Sequence, residues 1–423
     1  MKIFILLALA TAAAAVRYDG YQALRVEPRD ELQLDFLNNL KNELDGRISF
    51  WSQPRTTKRP TDILVQPRFQ DDIKELLDAK QIKYSVMIDD VQSIIDSQVR
   101  SEDEVEIGAD FIYSLYHTYA EIQAWVFDIA DEYSSIAQQF QIATSYHGRA
   151  INALKISTGG GGTKKAVYWQ GGIHAREWIS PATVMFITKS LLERYGVDND
   201  VTEILDTFDF YIVPSLNVDG YYHSWNFDRL WRKTRSVNRG NGCRQWRTVG
   251  VDPNRNYEYE WGGEGANPNP CTETYPGPNA FSEREIAETT SFLLNANQEF
   301  VCFIDFHSYS QLWLAPWSYT ARARLPEDLE DHFDAGMKAI TALESVYNTD
   351  YLYGPSALTL YAASGCSVDW GYAKLGAKYS YVVELRDMGS YGFLLPSDQI
   401  IPTGEETLEG VLALCKHMVE EYK

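Results

Sequence analysis

Four runs, AVYWQGG, FDFYIVPSL, FVCFIDFHS and KYSYVVEL, carry hydrophobic side chains on both faces of an extended chain. A strand of that kind has no side to offer to water, so it belongs inside a sheet that is covered twice. From about residue 110 onward such runs alternate with helical segments, among them TYAEIQAWVFDIADEY and ATVMFITKSLLERYG. The alternation predicts an α/β fold with a largely buried, helix-covered sheet. Gly159 to Gly162, in STGGGGTKK, lack the GK[ST] ending of a phosphate loop and read as a turn between two strands.

The preceding hundred residues follow another plan. YQALRVEP, RISFWSQP, TDILVQP and KYSVMID read as strands, with DELQLDFLNNLKNEL and FQDDIKELLDAKQI as amphipathic helices. The order β-α-β-β-α-β is that of a small α+β domain of ferredoxin-like, split βαβ type. The charged segment VQSIIDSQVRSEDEVE follows it and holds Arg100 among polar residues, where proteases cut readily. At the start, MKIFILLALATAAAA places one lysine before an apolar run and small residues, as a secretory signal does. The boundaries expected are a signal over residues 1–15, a pro-segment over 16–100 and a larger domain over 101–423. No later run reaches the length needed to cross a bilayer, so no membrane partner is expected.

The formal net charge is −21, with 13 basic against 15 acidic residues over 16–100 and 24 against 44 beyond. Such a surface repels phosphate backbones, which argues against a nucleic-acid partner. All five cysteines fall in the larger domain, without a CxxC pair. Cys243 and Cys271 sit in polar, Asn/Gly/Pro-rich surroundings and are the expected disulfide of an exported protein. Cys302, in an apolar run, reads as a buried thiol.

Of seven histidines, only His174 and His307 follow apolar runs at a point where a strand's carboxyl end opens onto a crevice, the edge at which open α/β sheets collect ligands. His117, His147, His223, His332 and His417 read as surface or satisfied core. Glu177 stands three residues after His174, and two imidazoles with one carboxylate form a zinc set with an open position. The same spacing also describes a solvated helix face. HExxH and GxSxG are both absent, which leaves a zincin or a serine hydrolase without its motif.

GGIHAREW, LWRKTRS, VDPNRN, DFHSYSQ, TLYAASGCSVDW and KYSYVVELRD stand in the order and approximate spacing of the zinc metallocarboxypeptidases of the pancreatic A/B type. The chain resembles that family from about residue 110 to the C-terminus, and its first domain resembles the family's activation domain. The resemblance implies a mixed eight-stranded sheet with helices on both faces and a secreted zymogen. It also implies one zinc ion held by His174, Glu177 and His307, a set carried over from the family. Asp252 then orients a ligand imidazole, fixing its tautomer. Glu384 is the general base for attack of zinc-activated water on the peptide carbonyl, and Arg232 is the positive group for the oxyanion. Lys233 and Arg235, beside it, read as surface charges.

The same resemblance implies that Asn254 and Arg255 clamp the substrate's free carboxylate, which suits a guanidinium fork. Tyr361 closes over the substrate, and Arg176, Ser308 and Tyr309 are further contacts. Val368 takes the position that separates apolar from basic specificity, with Leu314 and Val382 beside it. A lysine or arginine there would be an unpaired buried charge, so aliphatic or aromatic C-terminal residues are the expected substrates. Ser318 and Ser356 add polarity, and Asp369 is offset by one residue from the pocket. The implied partners are peptide C-termini, a trypsin-like activating protease at Arg100 and the pro-domain as inhibitor. The chain departs from the family around residues 240 to 275 and in Cys302, Cys366 and Cys415. The rival readings are a basic or acidic specificity, a zinc protein that binds peptide ends without cleaving them, and a pro-domain that is never removed.

Overall fold

The computed structural model describes residues 15–423 except 45–46, 58, 100–110, 160–163, 238–249 and 324. The expected signal, apart from its last residue, lies outside the described residues, as do Arg100 and Cys243.

The first domain runs β1 (Gln22–Glu27), α1 (Glu31–Glu43), β2 (Ile48–Phe50), β3 (Thr61–Val65), α2 (Gln70–Ala79), β4 (Lys83–Ile88) and α3 (Val91–Gln98), in the order read from the sequence. Its sheet, β2-β3-β1-β4, is antiparallel throughout. Alternation along the strands divides its two faces. Leu24, Val26, Ile63 and Val65 pack with Leu37, Leu40, Ile73 and Leu77 of the two helices. Ala23 and Leu64 point the other way, into a cluster with Trp51, Ile88 and Val91 that also contains Leu230, Tyr309, Phe393 and Leu394 of the large domain. One face of this small sheet is therefore its own core, and the other is an interface.

The large domain continues with α4 (Tyr119–Glu132), β5 (Ala137–Thr144), β6 (Ala150–Ile156), β7 (Lys165–Gln170), α5 (Ile179–Arg194), α6 (Asn199–Thr207), β8 (Phe208–Val213), α7 (Val218–Asn226) and α8 (Arg284–Asn295). It ends with β9 (Phe300–Ser308), β10 (Leu312–Ala315), α9 (Leu329–Tyr347), β11 (Leu352–Pro355), α10 (Ser356–Thr359), α11 (Ser367–Trp370), β12 (Tyr379–Leu385) and α12 (Ile400–Tyr422). The eight strands lie in the order β11-β10-β12-β9-β7-β8-β6-β5. The inner four, β12-β9-β7-β8, are parallel, and antiparallel pairs join on either side, which makes the sheet mixed.

Every residue of β8 and β9 is buried, as continuous apolar runs require. Val167, Trp169, Phe210, Ile212, Ile304 and Phe306 face one core under α4, α5 and α12, while Ala166, Tyr168, Tyr211, Val213 and Phe303 face a second under α8 and α11. Burying a large side chain of this kind contributes about 1.5–3 kcal/mol, so the two cores fix the central strands firmly. Of the expected turn at Gly159 to Gly162, all but Gly159 lies outside the described residues; the flanking strands β6 and β7 are not neighbours, because β8 lies between them.

Candidate active site

GGIHAREW begins where β7 ends. A Cβ on Gly171 would lie 2.9 Å from both Pro214 O and Ser180 Oγ, and Gly172 has φ +64°, a region open to glycine without strain. The two glycines turn the chain so that Ile173 enters the second core and His174 comes to the carboxyl end of the sheet. The Glu177 amide donates to His174 O at 3.2 Å, closing a turn before α5 starts at Ile179. The HxxE pair therefore sits in a turn ahead of the helix, not on a helical face. His307 arrives independently, as the penultimate residue of β9, and Glu384 stands opposite it in the parallel register of β12.

These groups converge. His174 Nδ1 lies 2.8 Å from Glu177 Oε1, His307 Nδ1 lies 3.2 Å from Glu177 Oε2, and the two Nδ1 atoms are 3.1 Å apart. One donor atom from each residue falls within 4.8 Å of the others. Burial works against the charge on Glu177, but His174 and His307 outweigh it and hold the carboxyl well below its ordinary range. On the far side of His174, Nε2 contacts Asp252 Oδ1 at 3.1 Å.

Arg232 lies beside this cluster, with Nη2 3.0 Å from Asp252 Oδ2 and Nη1 3.8 Å from Glu177 Oε1. Burial opposes its charge, while Asp252 and Glu177 sustain it and raise its pKa. Arg255 is buried, donates to Asn254 O at 2.7 Å, and lies 3.9 Å from Asp252. Asn254 Oδ1 accepts from the Ser367 amide at 2.8 Å. A Cβ on Gly365 would approach Arg255 O to 2.4 Å, so the loop carrying Tyr361 packs against the Arg255 backbone only because that position has no side chain. Glu384 is half-buried, and the loss of solvent around its carboxyl pushes it up to about 8, with His307 and Arg232 opposing the rise and Glu177 and Asp305 adding to it.

From here the cleft extends between Leu314, Val368, Val382, Leu360, Tyr361 and Ala363, and Val368 is 1% exposed. Ser356 Oγ donates to Ser318 Oγ at 3.2 Å within it. Asp369 does not compete for a ligand. Its oxygens accept from the Ser318 and Tyr319 amides at 2.7 and 2.8 Å, and burial raises its carboxyl to about 7.

Residues 122–410 match the zinc carboxypeptidase family, and residues 24–98 match the carboxypeptidase activation peptide. The chain belongs to the zinc carboxypeptidase family. It is 39% identical to carboxypeptidase A4 of Mus musculus over 405 residues, covering 95% of this chain and 94% of that one. With carboxypeptidase A1 of Bos taurus it shares 39% over 423 residues and 99% of each chain. The crystal structure of thrombin activatable fibrinolysis inhibitor superposes with a TM-score of 0.86 at 35% identity, over 94% of this chain and 98% of that one. Carboxypeptidase A from Helicoverpa armigera shares the fold, with a TM-score of 0.83 at 24% identity over 95% of this chain and 98% of that one.

The donor set of this carboxypeptidase fits zinc. Ligand atoms about 2.0–2.2 Å from a tetrahedral ion lie roughly 3.3–3.6 Å from each other, so the donors at 2.8, 3.1 and 3.2 Å need to part only slightly to hold one. Three buried carboxyl groups, on Glu177, Asp252 and Asp305, and the half-buried one of Glu384 share the site with the guanidinium groups of Arg232 and Arg255. A dication offsets that excess.

Not every expected site residue reaches the cleft. Arg176 is 4% exposed; its guanidinium stacks on Phe393 at 4.0 Å and pairs with Glu273 at 3.6 Å, and it is not among the residues lining the cleft. Ser308 lines the cleft and gives its amide to Glu177 Oε2 at 3.2 Å. Tyr309 donates its hydroxyl to Asp62 Oδ2 of the first domain at 2.6 Å. Lys233, read as a surface charge, is 3% exposed and donates to Pro270 O at 3.1 Å, and Arg235 stacks on Trp231. A basic run in sequence does not reveal which of its members the chain folds over. Cys271 is disulfide-bonded, while Cys302, Cys366 and Cys415 are free and buried.

The sequence suggested the pro-domain as inhibitor without naming the residues by which the first domain reaches the cleft. Trp51 and Ser52 line it, Arg55 lies over the Tyr361 ring, and the half-buried Arg59 interacts with the charge on Glu384. Asp62, which holds Tyr309, is itself paired to Arg25 at 2.7 Å. The activation peptide thus covers the site as an inhibitor.

Proposed function

We propose that the chain is a secreted zymogen with a signal over residues 1–15 and a pro-domain over 16–100, which a trypsin-like protease removes at Arg100. The catalytic domain, 101–423, then releases aliphatic or aromatic C-terminal residues. The pocket carries this reading: Val368 closes it with Leu314 and Val382, and the adjacent acid, Asp369, is already engaged by two backbone amides. A basic side chain would enter without a counter-charge, at a cost of several kcal/mol before relaxation.

His174, Glu177 and His307 would hold the zinc, which when bound polarises the scissile carbonyl and acidifies water. Arg255 and Asn254 grip the substrate's terminal carboxylate, and Tyr361 shuts the cleft above it. With the chain end fixed and its last side chain in the pocket, the penultimate carbonyl lies against Arg232, whose fixed charge stabilises the developing oxyanion. Glu384 takes the proton of the attacking water and passes it to the leaving amine. Its half-buried setting favours both halves of that transfer, since a carboxyl raised toward neutrality holds a proton briefly and gives it up.

The test uses trypsin-treated precursor with two blocked dipeptides, one ending in phenylalanine and one in arginine, assayed with and without a zinc chelator. Chelator-sensitive release of phenylalanine alone is expected. Release of arginine would overturn the assigned specificity, and full activity without trypsin would overturn the zymogen.

A further inference from the structure

We propose that Asp305 is a second positioning carboxylate of the metal site, holding His307 as Asp252 holds His174. Asp305 and His307 are two apart in β9, so their side chains share a face of the sheet. Asp305 is fully buried, and its Oδ2 lies 3.0 Å from His307 Nε2. The opposite nitrogen, Nδ1, faces Glu177 and His174 Nδ1. His174 repeats this arrangement, with Nδ1 toward Glu177 and Nε2 toward Asp252. Each ligand imidazole is therefore gripped from behind by an aspartate, which fixes its tautomer and ring angle and strengthens its basicity.

One other group contacts the same nitrogen. Asn254 Nδ2 lies 3.3 Å from His307 Nε2, but Asn254 Oδ1 already accepts from the Ser367 amide, so the side chain turns its NH2 group, a donor, toward the ring. An imidazole that ligates through Nδ1 keeps its proton on Nε2 and needs an acceptor there. Asp305 supplies it, and Asn254 does not.

Ser367, the first residue of α11, secures both neighbours. Its hydroxyl donates to Asp305 Oδ2 at 2.6 Å while its amide holds Asn254. One residue thus ties the support of the metal ligand to the support of the carboxylate clamp. Asp305 Oδ1 has no hydrogen-bond partner among the described residues. A buried carboxylate satisfied on one side only is costly, and its retention fits a partner imidazole carrying the charge of a bound dication.

The bland alternative makes Asp305 a structural cap for Ser367 without influence on the metal. Zinc affinity separates the two, measured by chelator competition on the full-length precursor together with the melting temperature of the metal-stripped protein. Asp305→Asn is expected to weaken zinc about 10-fold and Asp305→Ala about 10- to 100-fold, as for other outer partners of ligand imidazoles. Ser367→Ala, which leaves the carboxylate free to turn, should bind zinc with an affinity between those of the wild type and Asp305→Asn. Unchanged zinc affinity in folded Asp305→Asn and Ser367→Ala protein would overturn the proposal, as would a loss confined to melting temperature. It rests on His307 as a zinc ligand, and the two failures look different: without that ligand the wild-type precursor itself binds zinc poorly.

Discussion

At one end of the cleft, Glu177, Asp252 and Asp305 each hold an imidazole or guanidinium at 3.0 Å or less. At the other, Leu314, Val368 and Val382 form an apolar cluster with Leu312, Ala363 and Cys366, and Ser318 and Ser356 bond to each other. Charges at short range in a buried site act on one another, so a substitution in the first region disturbs several groups together. Contacts in the second are short-ranged and close to additive. On the proposed function, the first region sets whether a bond is cut, and the second sets which residue is released.

The largest expected effect lies in the first region. Glu384→Gln keeps the shape and removes the proposed base, and turnover should fall by about 100- to 10,000-fold while zinc content by metal analysis stays at one per chain. Loss of zinc along with turnover would mean that the charge of Glu384 holds the site together and would blur the contrast.

Val368→Asp probes the second region. Release of phenylalanine should fall by about 10- to 100-fold in kcat/KM and release of arginine should rise, with the zinc affinity unaltered. Equal losses on both substrates would mean that the pocket is coupled to the reaction centre, against the comparison drawn here.

The smallest effect belongs to a buried acid in neither region. Glu285, in the first turn of α8, accepts from the Tyr146 amide at 3.0 Å, has no partner for Oε2 among the described residues, and is pushed by burial up to about 7. A carboxyl raised when folded binds more protons in the native than in the unfolded state between about pH 4.5 and 7, so its contribution to stability declines as pH rises through that window. Glu285→Gln should therefore gain on the wild type by roughly 2–3 kcal/mol between pH 4.5 and pH 8, read by urea denaturation, with kcat/KM unchanged. A parallel pH profile in the two proteins would show that the Glu285 carboxyl titrates normally.

How much of this was legible depends on how far each residue's setting is determined locally. The central strands could be read because burial on both faces leaves its mark on every position of β8 and β9. His174 and His307 could be read because both end such strands. Glu384 alone looked like a polar strand end, and only β12 pairing beside β9 places it against His307. Asp305 left a signal, an acid inside an apolar run two residues before a histidine, and the strand period was enough to put both on one face. Arg176 and Lys233 left none, since their burial comes from Phe393, Glu273 and Pro270, all distant in sequence. The covering of the cleft by Trp51, Arg55 and Asp62 depends on which face of the small sheet is left open, and alternation defines two faces without saying what meets them.

The pairing of His307 with Glu384 across β9 and β12 also bears on how the enzyme fails. The proposed ligand and the proposed base face each other in register near the carboxyl ends of two parallel inner strands, so their separation cannot drift while that ladder is whole. A warmed sample should hold fewer working molecules as time passes, each still cutting at full speed, with no population of slow ones.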